Sequence, residues 1–268
     1  MAECEVITTR AGARAIMDVH TGEVMHPIGP IHEAQHMYVA PSRLAERLHE
    51  DDASPLVVFD IGLGAASNAI TAWRVADALG TGRRLDILSI DHSLEPLALA
   101  LEHASDFALE GRAGDAARAL LEHHAYTDAR TRWRFLLQDL VVALKGPLDV
   151  RADIVFWDVY SARLCPALWT PELFSAVRSS CRDGATLHTY SGSFPARAAM
   201  LLGGFAVGLG PSPGAKQRHS TIAATAVDVL DRPLDRAWLE RLRGAAASLP
   251  VTFPADALDR IASAPQFA

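Results

Sequence analysis

The strongest constraint on how this chain folds is a series of short apolar runs separated by segments of helical spacing. Leu56–Ile61 is continuously apolar except for Asp60 and runs straight into Gly62-Leu63-Gly64. Runs over 85–90, 133–137, 152–157 and 185–190 follow, the first three closed by Asp91, Gln138-Asp139 and Asp158. Between them lie helix-spaced segments at 65–79, 96–109, 115–125 and 170–181, then one near 196–203 and two more strands near 205–209 and 221–227. Apolar strands buried on both faces and alternating with helices of this length predict an α/β fold, a Rossmann-like doubly wound and mostly parallel sheet.

Two additions frame that core. Residues 1–50 mix short alternating runs with His, Pro and Gly, which predicts a small extension with strands near 5–9, 15–19 and 37–39. A helix is expected over 41–49 with Ser42 as its N-cap. Residues 51–230 are expected to form the main domain, and 231–268 a Pro-interrupted helical tail. No apolar stretch approaches 18 residues, and Glu3 and Glu5 leave no room for a secretory leader, so a cytoplasmic protein is expected. Three widely spaced cysteines, with no CxxC, predict neither a disulfide framework nor a zinc knuckle.

Charge narrows the partners. The net charge is −7 and only Lys145 and Lys216 are lysines, which argues against broad, sequence-independent binding of nucleic acid. His32-Glu33-Ala34-Gln35-His36 spells HExxH, but Pro27, Gly29 and Pro30 crowd it on one side and Pro41 on the other. A zinc-peptidase site needs both histidines on one face of a well-formed helix, so no metal is expected.

Ligands of doubly wound sheets sit beyond the carboxyl ends of the strands. One carboxylate there is common, but Asp60, Asp91, Asp139 and Asp158 form a series. Gly62 and Gly64 let backbone approach a ligand closely. The turn is not the dinucleotide G-x-G-x-x-G, and an acid just before it repels phosphate but suits an amino group. Asp91 is placed to accept from a ribose diol and Asp139 from an adenine amine. An amino acid, a ribose and an adenine without phosphate describe S-adenosylmethionine. Asp158 then lies where the transferred methyl emerges, able to orient an ammonium group and take its proton. Tyr160 and Trp169 are candidates to wall a flat or cationic acceptor.

These segments resemble the MnmC-like methyltransferase family. Asp60-Ile61-Gly62-Leu63-Gly64-Ala65-Ala66-Ser67-Asn68 is similar to its ExGFGTGLN turn, and Ser89-Ile90-Asp91-His92 to its ISxEK segment. Phe156-Trp157-Asp158-Val159-Tyr160, followed by Pro166 and Trp169-Thr170-Pro171-Glu172-Leu173-Phe174, resembles FLDGF…NPxMWxxxLF. Asp183-Gly184-Ala185-Thr186-Leu187 resembles its PGGTL, and Gly29 with Glu33 and Tyr38-Val39 its leading GxxxExxxVF. The resemblance spans about residues 15–225. It implies N-methylation of the aminomethyl group on a wobble uridine of tRNA, with S-adenosylmethionine as cofactor and no flavin, the oxidase half being absent.

It also implies a catalytic role for Asp158 and a cofactor role for Asp60, Gly62, Gly64, Asn68, Asp91 and His92, with Asp139 and Leu140. On the acceptor side it implies Glu33, Tyr160, Trp169, Arg197, Lys216 and Arg218. Departures fall mainly on that side: Val159 replaces a glycine, the arginine-rich helix start keeps only Arg197, and the late basic loop keeps Gly214, Lys216 and Arg218. A small-molecule amine as acceptor, or a cofactor-binding protein that has lost its activity, stays open.

Overall fold

The buried hexapeptide Leu56–Ile61 forms β4, every residue of it inaccessible, as a strand covered on both faces requires. The computed structural model describes residues 3–212, 219–245, 249–250 and 253–267. They fall into two compact units, Met1–Leu140 with Phe156–Asp158, and Val141–Val155 with Val159–Ala268.

The first unit opens with β1 (Cys4–Thr8), β2 (Arg14–Asp18) and β3 (Val24–Met25), a three-stranded antiparallel sheet. Helix α1 (Pro30–Glu33) continues into a wide π-type turn over Ala34–Val39, and α2 spans Leu44–Leu48. The strand expected over 37–39 is therefore helical. Ala34, Met37 and Tyr38 are buried at the i, i+3, i+4 spacing of one helix face, and that periodicity outweighs the β-propensity of Tyr-Val. Ser42 does not cap α2: its hydroxyl donates to the Val39 carbonyl at 2.8 Å, and the helix starts after Arg43 at φ +56°.

Beyond β4 come α3 (Ser67–Leu79), β5 (Leu85–Asp91), α4 (Glu95–Glu102), α5 (Arg112–His123), β6 (Ala125–Thr127) and β7 (Thr131–Leu137). β4 and β5 are parallel with Asp60 opposite Ser89, and β5 and β7 are parallel with Asp91 opposite Leu137. α4 stops seven residues short of its expected end, in turns that lead to Gly111 at φ +59°. β6 makes an unforeseen antiparallel pair with β7.

α6 (Leu140–Lys145) and β8 (Ala152–Trp157) carry the chain across the two units. The second unit adds α7 (Pro171–Ser179), β9 (Cys181–Thr189), α8 (Phe194–Leu202), β10 (Ala206–Leu209), β11 (Thr221–Ala224), α9 (Arg236–Gly244) and α10 (Ala257–Ala262). Thr170 and Asp235 cap α7 and α9, their side chains accepting from Leu173 N and Trp238 N. β9 begins at Cys181, four residues earlier than expected. The buried Cys181 thiol donates to the Val177 carbonyl, so α7 ends and the strand begins without an intervening loop. The eight-stranded sheet has the order β10-β11-β9-β8-β4-β5-β7-β6 and is mostly parallel, with β9, β11 and β10 antiparallel at one end.

Candidate active site

β4, β5 and the residue that follows β8 converge in the first unit. The β4–β5 register sets Ser89 beside Asp60, and its hydroxyl donates to Asp60 Oδ2 at 2.7 Å while accepting from Trp133 Nε1 at 2.9 Å. Gly62, Gly64 and Ala66 then turn the chain at φ +87°, +50° and +61°. For Ala66 that conformation costs about 1 kcal/mol, so this turn is held by its surroundings. A Cβ on Gly64 would stand 3.3 Å from Met25 Sδ at a φ that L-residues avoid. The Gly64 amide donates to Asp91 Oδ2 at 3.2 Å, while Oδ1 accepts from the His92 amide at 2.7 Å and pairs with His92 Nδ1 at 2.8 Å.

Asp158 is the most heavily engaged group. Its amide donates to the Ile61 carbonyl at 2.9 Å, which fixes it at the end of β4. Tyr38 Oη donates to its Oδ1 at 2.7 Å, while Asn68 Nδ2 at 2.8 Å and His26 Nε2 at 3.0 Å reach Oδ2. Burial opposes the charge, yet His26, Tyr38 and Asn68 outweigh it and hold the carboxyl below the usual carboxylate range. Asp60 goes the other way. Burial, with the charges of Asp158 and Asp91, pushes it up to about 8 against the Ser89 hydrogen bond and His26, so near neutrality it is largely protonated. Glu33, half-buried on α1, accepts weakly from the Ile28 amide at 3.5 Å. Burial raises its proton affinity, opposed by His26 and reinforced by Asp158.

Asp60, Gly62, Gly64, Asn68, Asp91, His92, Glu33 and Asp158 are thus gathered in one unit. Asp139 is exposed after β7 and adds negative charge facing His92, and Leu140 is buried at the start of α6. The other expected acceptor-side residues belong to the second unit. Trp169 is buried, its Nε1 donates to the Tyr160 carbonyl at 2.8 Å, and its ring meets Phe174 and Tyr190 edge-on. Arg197 is buried with its guanidinium donating to Thr221 Oγ1 at 3.0 Å and to the His219 and Ser220 carbonyls at 2.8 and 3.1 Å. Those bonds brace a loop. Lys216 and Arg218 lie outside the described residues.

Two participants escaped sequence reading. Tyr38 sat in a run read as a strand, and a helical reading of 34–39 would have turned it inward. His26 follows β3 at φ +54° and carries no signal beyond its place in a Pro- and Gly-rich loop.

The donor set fits a phosphate-free nucleoside. Among the described residues, the side-chain partners of Asp60, Asp91 and Asp158 are Ser89, His92, His26, Tyr38 and Asn68, neither lysine nor arginine. Buried atoms Asp60 Oδ1 and Asn68 Oδ1 have no partner among the described residues, and such atoms call for a ligand or water. His32 and His36 stack at 6.1 Å, and among the described residues no three His, Cys, Asp or Glu side chains group as a metal site needs. No helix there is long and apolar enough to cross a membrane.

Comparison with known proteins points the same way. Residues 115–226 match the model of a family described as S-adenosyl-L-methionine-dependent methyltransferase. The tRNA 5-methylaminomethyl-2-thiouridine biosynthesis bifunctional protein MnmC of Pseudomonas aeruginosa strain UCBPP-PA14 is 29% identical over 200 residues, 70% of this chain and 30% of that protein. The protein of the same name from Pseudomonas savastanoi pv. phaseolicola is 27% identical over 224 residues, 78% of this chain and 33% of its own. The chain therefore spans about a third of the length of these relatives. The solved structure of MnmC2 from Aquifex aeolicus matches with a TM-score of 0.75 at 22% identity, covering 98% of this chain and 85% of that one, and shares the fold. The chain is thus similar to S-adenosylmethionine-dependent methyltransferases, and to MnmC among them.

Proposed function

We propose that this enzyme methylates a primary amine, the aminomethyl group of a modified wobble uridine in tRNA, and so acts in the cytoplasm. The observation that carries the reading is the Asp158 carboxylate, largely withdrawn from solvent yet held ionised by three donors. On this reading Asp60, Gly62, Gly64, Asn68 and Asp91 hold the cofactor, with His92, Asp139 and Leu140 beside them. Asp91 offers a carboxylate for a ribose diol, and Asp60 Oδ1, which carries the proton near neutrality, and Asn68 Oδ1 are left for the ligand to pair. Bound S-adenosylmethionine supplies an electrophilic methyl on a sulfonium.

Asp158 does its work through charge. Its low proton affinity makes it a poor proton acceptor, contrary to the sequence-based expectation that it takes the amine proton. It accepts N–H bonds from the amine and so aims the nitrogen lone pair. An amine that took a methyl from such a donor would gain positive charge on its nitrogen. A fixed buried anion beside that nitrogen stabilises the transition state more than the neutral amine.

The tRNA assignment draws on the printed name of the MnmC relatives. A net charge of −7 favours a second reading, a small amine as acceptor. Transfer of labelled methyl from S-adenosylmethionine to tRNA carrying unmethylated aminomethyl-uridine, set against a panel of small primary amines, separates the two. Label in a single nucleoside of the tRNA is the expected result, and label confined to the small amines overturns it.

A further inference from the structure

His26 is a largely buried titratable residue whose side-chain polar partner, among the described residues, is the Asp158 carboxylate, and the geometry gives it two opposed tendencies. Nε2 lies 3.0 Å from Asp158 Oδ2, so the neutral tautomer carries its proton on Nε2 and donates to the carboxylate. Nδ1 is buried with no hydrogen-bond partner, so protonating it buries an unpaired N–H. The left-handed backbone at φ +54° and the hydrogen bond from the Gly29 amide to the His26 carbonyl hold the ring in that place.

We propose that His26 is a positioning residue for the acceptor amine: neutral, it orients Asp158 and leaves the carboxylate its full charge; protonated, it neutralises that charge and competes with the amine for the carboxylate. The inference rests on the reading that Asp158 faces the acceptor. The charged groups that act on His26 are Asp158 after β8, Glu33 on α1 and Asp60 on β4, and the neutral Tyr38 and Asn68 share Asp158 with it. Burial lowers the proton affinity of the imidazole, but the charge and hydrogen bond of Asp158, with Glu33 and Asp60, lift it above 6.5.

The chemistry predicts a division between KM and kcat. Below the pKa of His26, KM for the acceptor rises about tenfold per pH unit, because protonated His26 and the acceptor exclude each other at one carboxylate. The acid limb of kcat belongs instead to the amine, which must be neutral to attack. The test is the pH dependence of methyl transfer to tRNA bearing unmethylated aminomethyl-uridine, for the wild type and His26→Gln. Glutamine keeps an N–H donor but does not titrate.

The expected result is that His26→Gln flattens the KM limb and leaves the kcat limb in place. A KM limb unchanged in His26→Gln overturns the inference while the tRNA reading stands. If the wild type transfers no methyl to the tRNA at any pH, that reading fails. NMR titration of the histidine rings in the wild type and Asp158→Asn then decides the rest, as it does if His26→Gln does not fold. A His26 pKa lowered by a unit or more in Asp158→Asn is expected, and an unchanged pKa sinks the proposal.

Discussion

Two clusters of buried polar side chains, one in each unit, serve opposite ends. In the first, Asp60, Asn68 and His26 each keep a buried atom without a partner among the described residues, around a carboxylate that holds its charge. In the second, Arg197 spends its guanidinium on a hydroxyl and two carbonyls, and the Tyr190 hydroxyl donates to the Val159 carbonyl at 3.0 Å. Buried polar groups left incomplete are a reservoir for a ligand, whereas completed ones are scaffolding. Similarity to the same family motifs thus covers residues with different physical work.

The comparison breaks most plainly at Asp158. Asp158→Ala is expected to lower kcat about 1000-fold, roughly 4 kcal/mol of transition-state stabilisation, with cofactor affinity unchanged by calorimetry. A variant with near wild-type turnover would remove the central distinction. Arg197→Met should do the reverse. Leaving two buried carbonyls without donors costs about 3 kcal/mol, a melting temperature lower by roughly 6–12 °C, while folded enzyme turns over normally. If instead Arg197→Met melts like the wild type and its KM for tRNA rises, Arg197 is an acceptor contact and the second unit is more than scaffolding.

Asp91→Ala sharpens the first unit from within. Losing a carboxylate that accepts charge-assisted hydrogen bonds should weaken cofactor binding by about 10- to 100-fold, close to 2 kcal/mol. Calorimetric affinity equal to that of the wild type would deny Asp91 the ribose.

How far the sequence could see follows the same division. β4, β5, β7 and β8 were legible because continuous apolar runs have few other uses, and the acids at their ends were legible because strand ends are where ligands bind. Register then made Ser89 the partner of Asp60, a pairing that no linear pattern announces. Tyr38 was hidden because Met-Tyr-Val has strand propensity, while burial of Ala34, Met37 and Tyr38 on one face makes it helical. His26 lies 132 residues before its partner, Asp158, and only the closed fold joins them. Arg197 carried an acceptor-side expectation from the resemblance alone, and its bonds to a hydroxyl and two carbonyls come into view only in the fold.

Asp60 offers the finest measure of the first unit, because its incomplete bonding has a signature in the free protein. In the unfolded chain its carboxyl titrates near 3.8, and in the fold burial and the neighbouring charges of Asp158 and Asp91 lift it to about 8. Between those values the native state holds a proton that the unfolded state has released. Stability contributed by this group is therefore full below the lower value and is lost as pH rises, at up to about 1.4 kcal/mol per unit, levelling off above pH 8. Asp60→Asn cannot titrate and escapes that loss. In denaturant melts of the free protein, the variant's advantage over the wild type should grow from pH 5 to pH 8, by about 1 kcal/mol between adjacent units. A difference that stays constant across the range would mean that Asp60 ionises normally and that its pairing with Ser89, like the bonds of Arg197, is complete.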